Sequence, residues 1–318
     1  MLALSPHPNL ESPIVWSPAS EQSTAPDPSA TATDSDVQKQ LQVVISQAKE
    51  ARDVVAFLDQ HMSKVDHKTA DQMFLALEDF YQVHVPAVND NFHKLLEQPE
   101  TAQKLLELEY PFDFNKIKGD DNLKQWLLNQ TAGKLKLEAT FDMELFWQVD
   151  YEALQAYAPF LSDELKAYLS IQTLEMKSAF RGDGGLQISR TELGMRLVNA
   201  EQFLTQYPAS KKAPQIKTLY TEYLRTYLSD YRYEAIDERT MKLLPTVKTD
   251  YQEFVKAHPD TKTAQIVTAY LDVLKVNQDV IYNFGDEGVS IIGDAKPNIS
   301  RFWDELGGKV DRSFEAVK

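Results

Sequence analysis

The sequence predicts a mainly α-helical protein with a small antiparallel β element near residues 134–150. Three observations lead to this prediction. From Asp36 onward, apolar residues return every three or four positions, which is the period of an amphipathic helix. The segment "GKLKLEATFDMELFWQVDY" alternates apolar and polar residues, which is the period of a strand. The segments "YPASKKAPQIKTLY" and "HPDTKTAQIVTAY", which begin at Tyr207 and His258, nearly repeat one another.

These patterns divide the chain into three parts. Residues 1–36 form a Pro/Ser/Thr-rich tail that holds six of the fifteen prolines. We expect this tail to be disordered, because such a composition cannot bury enough apolar surface to order itself. Residues 37–129 are predicted to form a helical bundle. Residues 130–318 are predicted to form a β hairpin followed by a helical-hairpin repeat domain.

The tail also bears on location. Its apolar runs are too short for a signal or transmembrane segment. We interpret the tail as a spacer between a membrane anchor that this sequence lacks and the folded part, which predicts an extracytoplasmic protein that is anchored or secreted. The alternative is a cytoplasmic protein with a flexible tail.

Composition excludes several classes of function. The formal net charge of −15 and the pI of about 4.9 do not favour binding to nucleic-acid phosphates, so we expect no nucleic-acid partner. The chain contains no cysteine, which excludes disulfides, thiolate catalysis and metal sites with cysteine ligands.

Three helices are predicted in the bundle. The first runs through residues 37–62 and the second through residues 73–95, where Pro86 is expected to stop or kink it. A short third helix carries Leu105, Leu106 and Leu108, and the segment "YPFDFNKIKGDDN" after it is predicted to be a loop. Together they predict an antiparallel bundle.

In the β element, every odd position from Leu135 to Val149 is apolar. One strand of this length would be unusually long, so we expect a turn to divide it. A loop of odd length keeps the apolar residues on one face, which places the turn around Thr140–Phe141–Asp142. The segments "GLQIS" (185–189) and "GVSII" (288–292) are the predicted partner strands. Helices are expected to return at Tyr151, to break near Pro159 and to restart after Ser162.

The segment "RGDGGLQISRTE", which begins at Arg181, partly matches a calcium-binding EF-hand loop. Asp183 and Glu192 stand where such a loop carries ligands, but Arg181 replaces the first carboxylate and Leu186 replaces the glycine of the sharp turn. We therefore predict no calcium site. Ser189 and Glu192 fit a capping box at a helix start instead.

The repeat predicts two similar helical hairpins. At an offset of 51, five residues of the first copy have counterparts in the second: Phe203 and Phe254, Tyr207 and His258, Pro208 and Pro259, Ser210 and Thr261, Ala213 and Ala264. Proline ends the first helix of each copy, Ser or Thr can cap the second, and the small alanine allows the two helices to approach. Each copy leaves an apolar face that a neighbour must cover.

The segment "FLTQYPASKKAPQ" resembles the Phe-x-x-x-Tyr-Pro-x-Ser-x-x-Ala turn of tetratricopeptide-like repeats in bacterial cell-envelope lipoproteins and periplasmic accessory proteins. The resemblance covers residues 190–283. It implies a helical scaffold that holds other proteins or envelope polymers, and it supplies no catalytic residues.

A search for catalytic motifs finds no Walker loop, dinucleotide fingerprint, nucleophile elbow, zinc-protease motif or kinase signature. The histidines that folding could bring together lie in the predicted bundle: His61, His67, His84 and His93. No carboxylate accompanies them at a spacing suited to a metal, so we predict no metal site, cofactor or catalytic residue. Glu138, Asp142 and Glu144 would share one strand face, which we interpret as the solvated side of the sheet rather than an acid–base pair.

One helical stripe stands out as a candidate binding surface. Its tyrosines are spaced by three, four and four residues and are followed by one more: Tyr220, Tyr223, Tyr227, Tyr231 and Tyr233. Aromatic rings with a polar tip are typical of surfaces that recognise peptides or glycans. The alternative is that these rings form core between the two hairpins.

The sequence therefore predicts a non-catalytic extracytoplasmic scaffold or binding module whose partner is a protein or a cell-envelope polymer. Membrane association would come only through an anchor that this chain does not contain. Two alternatives remain open, namely a metal-dependent hydrolase with a site built from scattered His and Asp/Glu residues, and a cytoplasmic helical adaptor.

Overall fold

The computed structural model describes residues 32–140, 144–182, 185–229, 235–286 and 290–315. Within these ranges the chain forms thirteen α-helices and four separate two-stranded antiparallel sheets. This confirms the prediction of a mainly α-helical protein with a small β element. Across the described ranges, no helix combines the length and the apolar character needed to cross a membrane.

Five α-helices and two short 3-10 helices, at Met62–Lys64 and Phe114–Lys116, precede the first strand. The helices are α1 (Ala32–Gln47), α2 (Ala51–His61), α3 (His67–Leu96), α4 (Pro99–Leu106) and α5 (Asp121–Ala132). Helix α1 starts inside the segment assigned to the tail. The predicted helix over 37–62 is two helices, because Asp53 accepts hydrogen bonds from the backbone N–H groups of Lys49 and Glu50, both at 3.2 Å, and so caps a new start.

Helix α3 continues through Pro86, so of the two expected outcomes, a stop or a kink, the stop was wrong. Proline removes the hydrogen bond to the carbonyl four residues earlier, which belongs to Gln82. Both Pro86 and Gln82 are exposed, so water can take the place of that bond. The apolar residues on either side, Tyr81 and Val88, are buried and keep the helix against the core.

The β hairpin consists of β1 (Leu135–Ala139) and β2 (Leu145–Val149), with Leu137 opposite Trp147. Five residues connect the strands, which confirms the odd-length loop; Phe141 and Asp142 lie outside the described residues. Leu135, Leu137 and Trp147 are buried, as the alternation predicted.

Helix α3 covers the outer edge of this hairpin through one side chain. The Asn89 amide donates to the carbonyl of Trp147 at 2.9 Å, and its oxygen accepts from the N–H of Trp147 at 2.7 Å. The predicted pairing of β1–β2 with residues 185–189 and 288–292 was therefore wrong. Those regions pair locally in two other sheets, and Gly288 and Val289 lie outside the described residues.

After the hairpin the chain turns through α6 (Tyr151–Leu154) and a 3-10 helix (Gln155–Phe160) into α7 (Asp163–Lys177). The break near Pro159 and the restart after Ser162 are confirmed, and the Ser162 side chain accepts from the N–H of Leu165 at 3.5 Å. Two short strands, β3 (Arg181–Gly182) and β4 (Gly185–Leu186), lead to the repeat region.

The repeat region contains α8 (Arg190–Gln206), α9 (Ala213–Leu228), α10 (Pro245–Ala257) and α11 (Lys262–Val276). The two predicted turns have the same geometry. The N–H of Tyr207 donates to the backbone carbonyl of Phe203 at 2.8 Å, and the N–H of His258 donates to the backbone carbonyl of Phe254 at 2.9 Å. Backbone angles agree as well, with φ/ψ of −125°/54° at Tyr207 and −129°/49° at His258. The sequence repeat is therefore a structural repeat of two helical hairpins.

The remaining elements cover this pair of hairpins. They are β5 (Ile236–Asp237), β6 (Lys242–Leu243), β7 (Tyr282–Phe284), β8 (Ile292–Ala295), α12 (Pro297–Asp304) and α13 (Leu306–Phe314). Ring contacts join Tyr270 to Phe302 and Tyr220 to Phe314, with centroids 5.1 and 5.3 Å apart. The Trp303 indole donates to the carbonyl of Leu228 at the end of α9, at 2.9 Å.

Equivalent positions of the two hairpins each contact a buried glutamate. Lys212, at the start of α9, forms an ion pair with Glu78 of α3. Its counterpart at the offset of 51 is Thr263, at the start of α11. There Glu201 of α8 accepts hydrogen bonds from the N–H of Lys262 at 2.6 Å, and from the N–H and hydroxyl of Thr263 at 2.8 and 2.7 Å. A carboxylate is stabilised at a helix N-terminus by the free N–H groups and the helix dipole.

Replacement of the two repeat phenylalanines tests their structural equivalence. Phe203 and Phe254 are only 1% and 8% exposed. We expect Phe203→Ala and Phe254→Ala each to lower the free energy of unfolding by roughly 3–5 kcal/mol, because each empties a core site. Urea denaturation measures both values. A variant as stable as the parent would contradict the paired-hairpin architecture.

Glu201→Gln tests the carboxylate that joins the hairpins. The amide keeps the shape, but its NH₂ group faces a backbone N–H, so we expect a loss of about 2–3 kcal/mol in unfolding free energy. Glu253→Gln on the exposed face of α10 is the control, with a change within about 0.5 kcal/mol. Equal effects in chemical denaturation would show that Glu201 has no special role.

Candidate functional site

The tyrosine stripe does not form a binding surface at its first three positions. Tyr220, Tyr223 and Tyr227 are at most 1% exposed, because α9 lies between other helices of the repeat region. This corrects the assignment of these rings to a partner-binding surface and agrees with the alternative that they are core. Tyr231 and Tyr233 lie outside the described residues.

The four histidines of the first helices do not converge. His61 and His84 stack on Phe57 and Phe80, the residues four positions earlier. The other two lie elsewhere: Nδ1 of His67 is 2.8 Å from the carbonyl of Phe160, and Nε2 of His93 is 4.0 Å from Glu144. Among the residues that the structure describes, no group of three or more His, Asp or Glu side chains could hold a metal ion.

The strand carboxylates and the EF-hand-like loop have other contacts. Glu138 pairs with Lys136 at 2.5 Å, and Asp142 lies outside the described residues, as does Asp183 of the loop. Ser189 accepts from the N–H of Glu192 at 3.0 Å, which confirms the cap at the start of α8. The carboxylate of Glu192 contacts Arg196 at 2.6 Å, instead of the backbone contact that a full capping box requires.

A cleft between α7 and α8 is the strongest candidate site that the described residues offer. It encloses about 270 Å³. Its two walls differ in character. Helix α7 contributes small and apolar side chains, namely Ala167, Ser170, Ile171 and Leu174, spaced as one face of a helix. Because alanine and serine are short, the facing side chains of α8 do not fill the space between the helices.

Helix α8 contributes a stripe of amides to the cleft. Asn199, Gln202 and Gln206 follow one another at intervals of three and four residues, so they lie on one face. Asn199 and Gln202 are half-buried, and Gln206 is exposed at the open end. In the described part of the chain, these amides have no hydrogen-bond partner, whereas Gln155 at the cleft edge donates to the Thr173 hydroxyl at 2.7 Å. Each free amide offers both a donor and an acceptor.

The floor of the cleft is an ionic network. Arg196 has a side chain only 1% exposed and forms ion pairs with Glu175 of α7 and Glu192 of α8. The Tyr223 hydroxyl donates to the same Glu175 carboxylate at 2.5 Å. The network therefore ties α7, α8 and α9 together below the amide stripe.

Electrostatics fix the charge states of this floor. Burial and the nearby Glu175 carboxylate raise the pKa of Tyr223 far above its usual value, so the phenol stays neutral. Burial alone would lower the pKa of Arg196, but Glu175 and Glu192 outweigh it and raise the pKa, so the guanidinium stays charged. The floor thus has fixed charges. Apart from the buried Nε of Arg196, which has no hydrogen-bond partner among the described residues, the free hydrogen-bonding groups are the amides above it.

The cleft was not predicted from the sequence. The signal was present, because Arg196, Asn199, Gln202 and Gln206 keep a helical spacing on a helix that is otherwise largely buried. A polar stripe on a surface helix is common, however, and only the position of α7 shows that this one faces a neighbour.

None of the family models, curated proteins or solved structures compared with this chain matches it. The resemblance to tetratricopeptide-like hairpins therefore stays a prediction. Its structural part, two equivalent helical hairpins, rests on the turn geometry at Tyr207 and His258.

Arg196→Met tests the network under the cleft. Methionine fills similar space but leaves the Glu175 carboxylate without its cation, so we expect unfolding free energy to fall by roughly 3 kcal/mol. Glu192→Gln removes the more exposed partner, whose side chain is 38% exposed, and should cost less than about 1 kcal/mol. Urea denaturation at neutral pH measures both. Equal costs would mean that Arg196 is not the centre of the network.

Proposed function

We propose that this protein is a non-catalytic binding module, and that the cleft between α7 and α8 holds an extended segment of a partner protein. The observation that carries the proposal is the stripe of free amides at Asn199, Gln202 and Gln206 opposite an apolar wall. Amide side chains pair with the backbone N–H and C=O groups of an extended peptide without selecting its charge.

The dimensions of the stripe support a peptide. Asn199 and Gln206 are seven residues apart, which corresponds to about 10.5 Å along a helix. An extended chain covers this distance in about three residues at ~3.3 Å each. The three amides can therefore contact successive peptide units of one short segment.

The facing wall supports the same occupant. In an extended peptide, alternate side chains point in opposite directions, so one set faces α7 while the other faces solvent. Ala167, Ile171 and Leu174 form an apolar surface for that set. Short apolar side chains fit best, because the cleft encloses only about 270 Å³.

The proposal includes a class of partner, namely a protein, and an extracytoplasmic location. A protein partner is favoured over a cell-envelope polymer because the apolar wall suits side chains better than a hydrated glycan. An extracytoplasmic location is supported by the composition of residues 1–36, which resembles a spacer between an anchor and a domain. A cytoplasmic adaptor with the same cleft is the alternative.

Peptide selection on the intact protein tests the cleft. We expect a display library to yield short peptides with apolar residues at alternate positions. Gln202→Leu should weaken their binding about tenfold, because it removes a paired donor and acceptor. Gln265→Leu, at an exposed position of α11, is the matched control and should leave affinity unchanged. Fluorescence anisotropy of a labelled peptide measures both.

A second variant separates the cleft from other surfaces. Ser170→Trp places a large ring between α7 and α8 and should abolish binding of the selected peptides. Circular dichroism checks that this variant is folded. Peptides that bind Ser170→Trp as tightly as the parent would show that the cleft is not the site.

A further inference from the structure

An apolar groove runs along the outside of the first helices, between α1 and α3. Helix α3 lines it with Ala76, Phe80, Val83 and Ala87, and α1 adds Ile45. Val83 is 79% exposed, more than any other large apolar side chain that the structure describes. The groove shares no lining residue with the cleft between α7 and α8, so it is a separate surface.

The spacing of the four α3 residues indicates a site for another helix. A single exposed valine would carry no meaning, because scattered apolar residues are normal on a protein surface. Here, however, the four residues follow one another at intervals of four, three and four, which is the spacing of the residues that join two packed helices. We call these four residues the α3 seam. Beside it, Asp79, Gln82 and Pro86 are exposed, so the seam is open to solvent on that side.

The order of side chains along the α3 seam is the same in both directions. An alanine stands at each end, and the two larger residues, Phe80 and Val83, stand in the middle. If a second copy of α3 lies antiparallel on the first, with Phe80 facing Val83 of that copy, then Ala76 faces Ala87 of that copy. An interface between identical surfaces related by a twofold axis must be self-complementary, and the α3 seam meets this requirement.

The position of α1 beside α3 brings a cation close to the seam. The side chains of Gln38 and Gln72 form a hydrogen bond, and further along Ile45 and Phe80 line the same groove. The two helices therefore run parallel, with an offset of 34 residues at that hydrogen bond. At this offset Lys49, just beyond the end of α1, lies level with the middle of the α3 seam.

Charge complementarity favours the antiparallel second copy. Asp79 and Lys49 are exposed, and neither forms an ion pair with another described residue. In the antiparallel arrangement, Asp79 lies level with Lys49 of the second copy to within about one residue, or ~1.5 Å along the helix axis. The twofold axis creates this contact twice. A parallel arrangement would bring Asp79 toward Asp79 of the second copy, where like charges repel.

We propose that the protein forms a twofold-symmetric dimer in which the α3 seams of two copies pack antiparallel, each in the groove between α1 and α3 of the other. Phe80 packs on Val83 of the second copy at the centre, and Asp79 pairs with Lys49 of the second copy on both sides. The net charge of −15 on each copy opposes association. Salt screens this repulsion beyond ~8 Å at physiological ionic strength but acts less on contacts that the interface covers.

Sedimentation equilibrium of the full-length protein in physiological salt tests the proposal. We expect a reversible dimer of twice 36.2 kDa, with a dissociation constant on the order of 10 µM because the interface is small. Val83→Glu should raise this constant at least tenfold, because it places a charge inside the seam. Val276→Glu, at a position of α11 that is 77% exposed, is the matched control and should leave it unchanged.

Two outcomes of this experiment would overturn the proposal. One is a protein that stays monomeric up to millimolar concentration, which would favour a helix of another protein as the occupant of the groove. The other is an unchanged dimer in Val83→Glu, which would place the interface elsewhere. Circular dichroism checks that each variant is folded.

Charge reversal tests the antiparallel orientation. Asp79→Lys alone should weaken the dimer about fivefold, because it places two cations together at both symmetric contacts. Adding Lys49→Asp should restore the affinity of the parent, since the pair is then re-formed with opposite signs. Adding Lys39→Asp instead, at another exposed position of α1, is the control with the same total charge and should not restore it. A double variant with Lys49→Asp that dimerises as weakly as Asp79→Lys would contradict the antiparallel arrangement.

Discussion

The relative placement of the helices depends on two glutamates that the fold buries. A carboxylate removed from water must find a cation or several N–H donors, so each one allows very few arrangements of its neighbours. Glu78 forms an ion pair with Lys212 and accepts a hydrogen bond from the hydroxyl of Tyr168 at 2.6 Å. These two contacts link α3, α7 and α9. Glu201 finds the first N–H groups of α11. Lys212 and Thr263 are equivalent positions of the repeat, so both hairpins are attached to the preceding part of the molecule at the same point.

Polar contacts also connect the helices that border the cleft. Helices α7 and α8 are tied at the floor by Arg196 and Glu175, and α7 is tied to the first half of the chain through Tyr168 and Glu78. Short side chains on α7 then leave space above the floor. A site built in this way is largely preformed, so a ligand does not have to supply the energy of opening it.

Local patterns predicted local structure well. The alternation of apolar and polar residues from Leu135 to Val149 predicted the hairpin, the face of it that is buried, and a connecting loop with an odd number of residues. This was possible because successive side chains of a strand point to opposite faces. The two turns of the repeat were predicted because a proline next to each of them ends the preceding helix, and this effect depends only on neighbouring residues. The break between α1 and α2, just before Ala51, was not predicted. The apolar residues keep their helical spacing across this break, and such spacing shows which face of a helix is apolar but not whether the helix is continuous. Which faces meet was not predictable, and for that reason the tyrosine stripe was assigned to a surface and the α7–α8 cleft was missed.

The contact between Asn89 and Trp147 has a consequence for strand pairing between molecules. A two-stranded hairpin has open edges, and an open edge recruits strands from other molecules. The side chain of Asn89 donates to the carbonyl of Trp147 and accepts from its N–H, which are the two hydrogen bonds that a further strand would form with Trp147. A helix thus takes the place of a third strand with a single side chain. Intermolecular strand addition at this edge, a common first step toward fibrils, would have to displace α3 first.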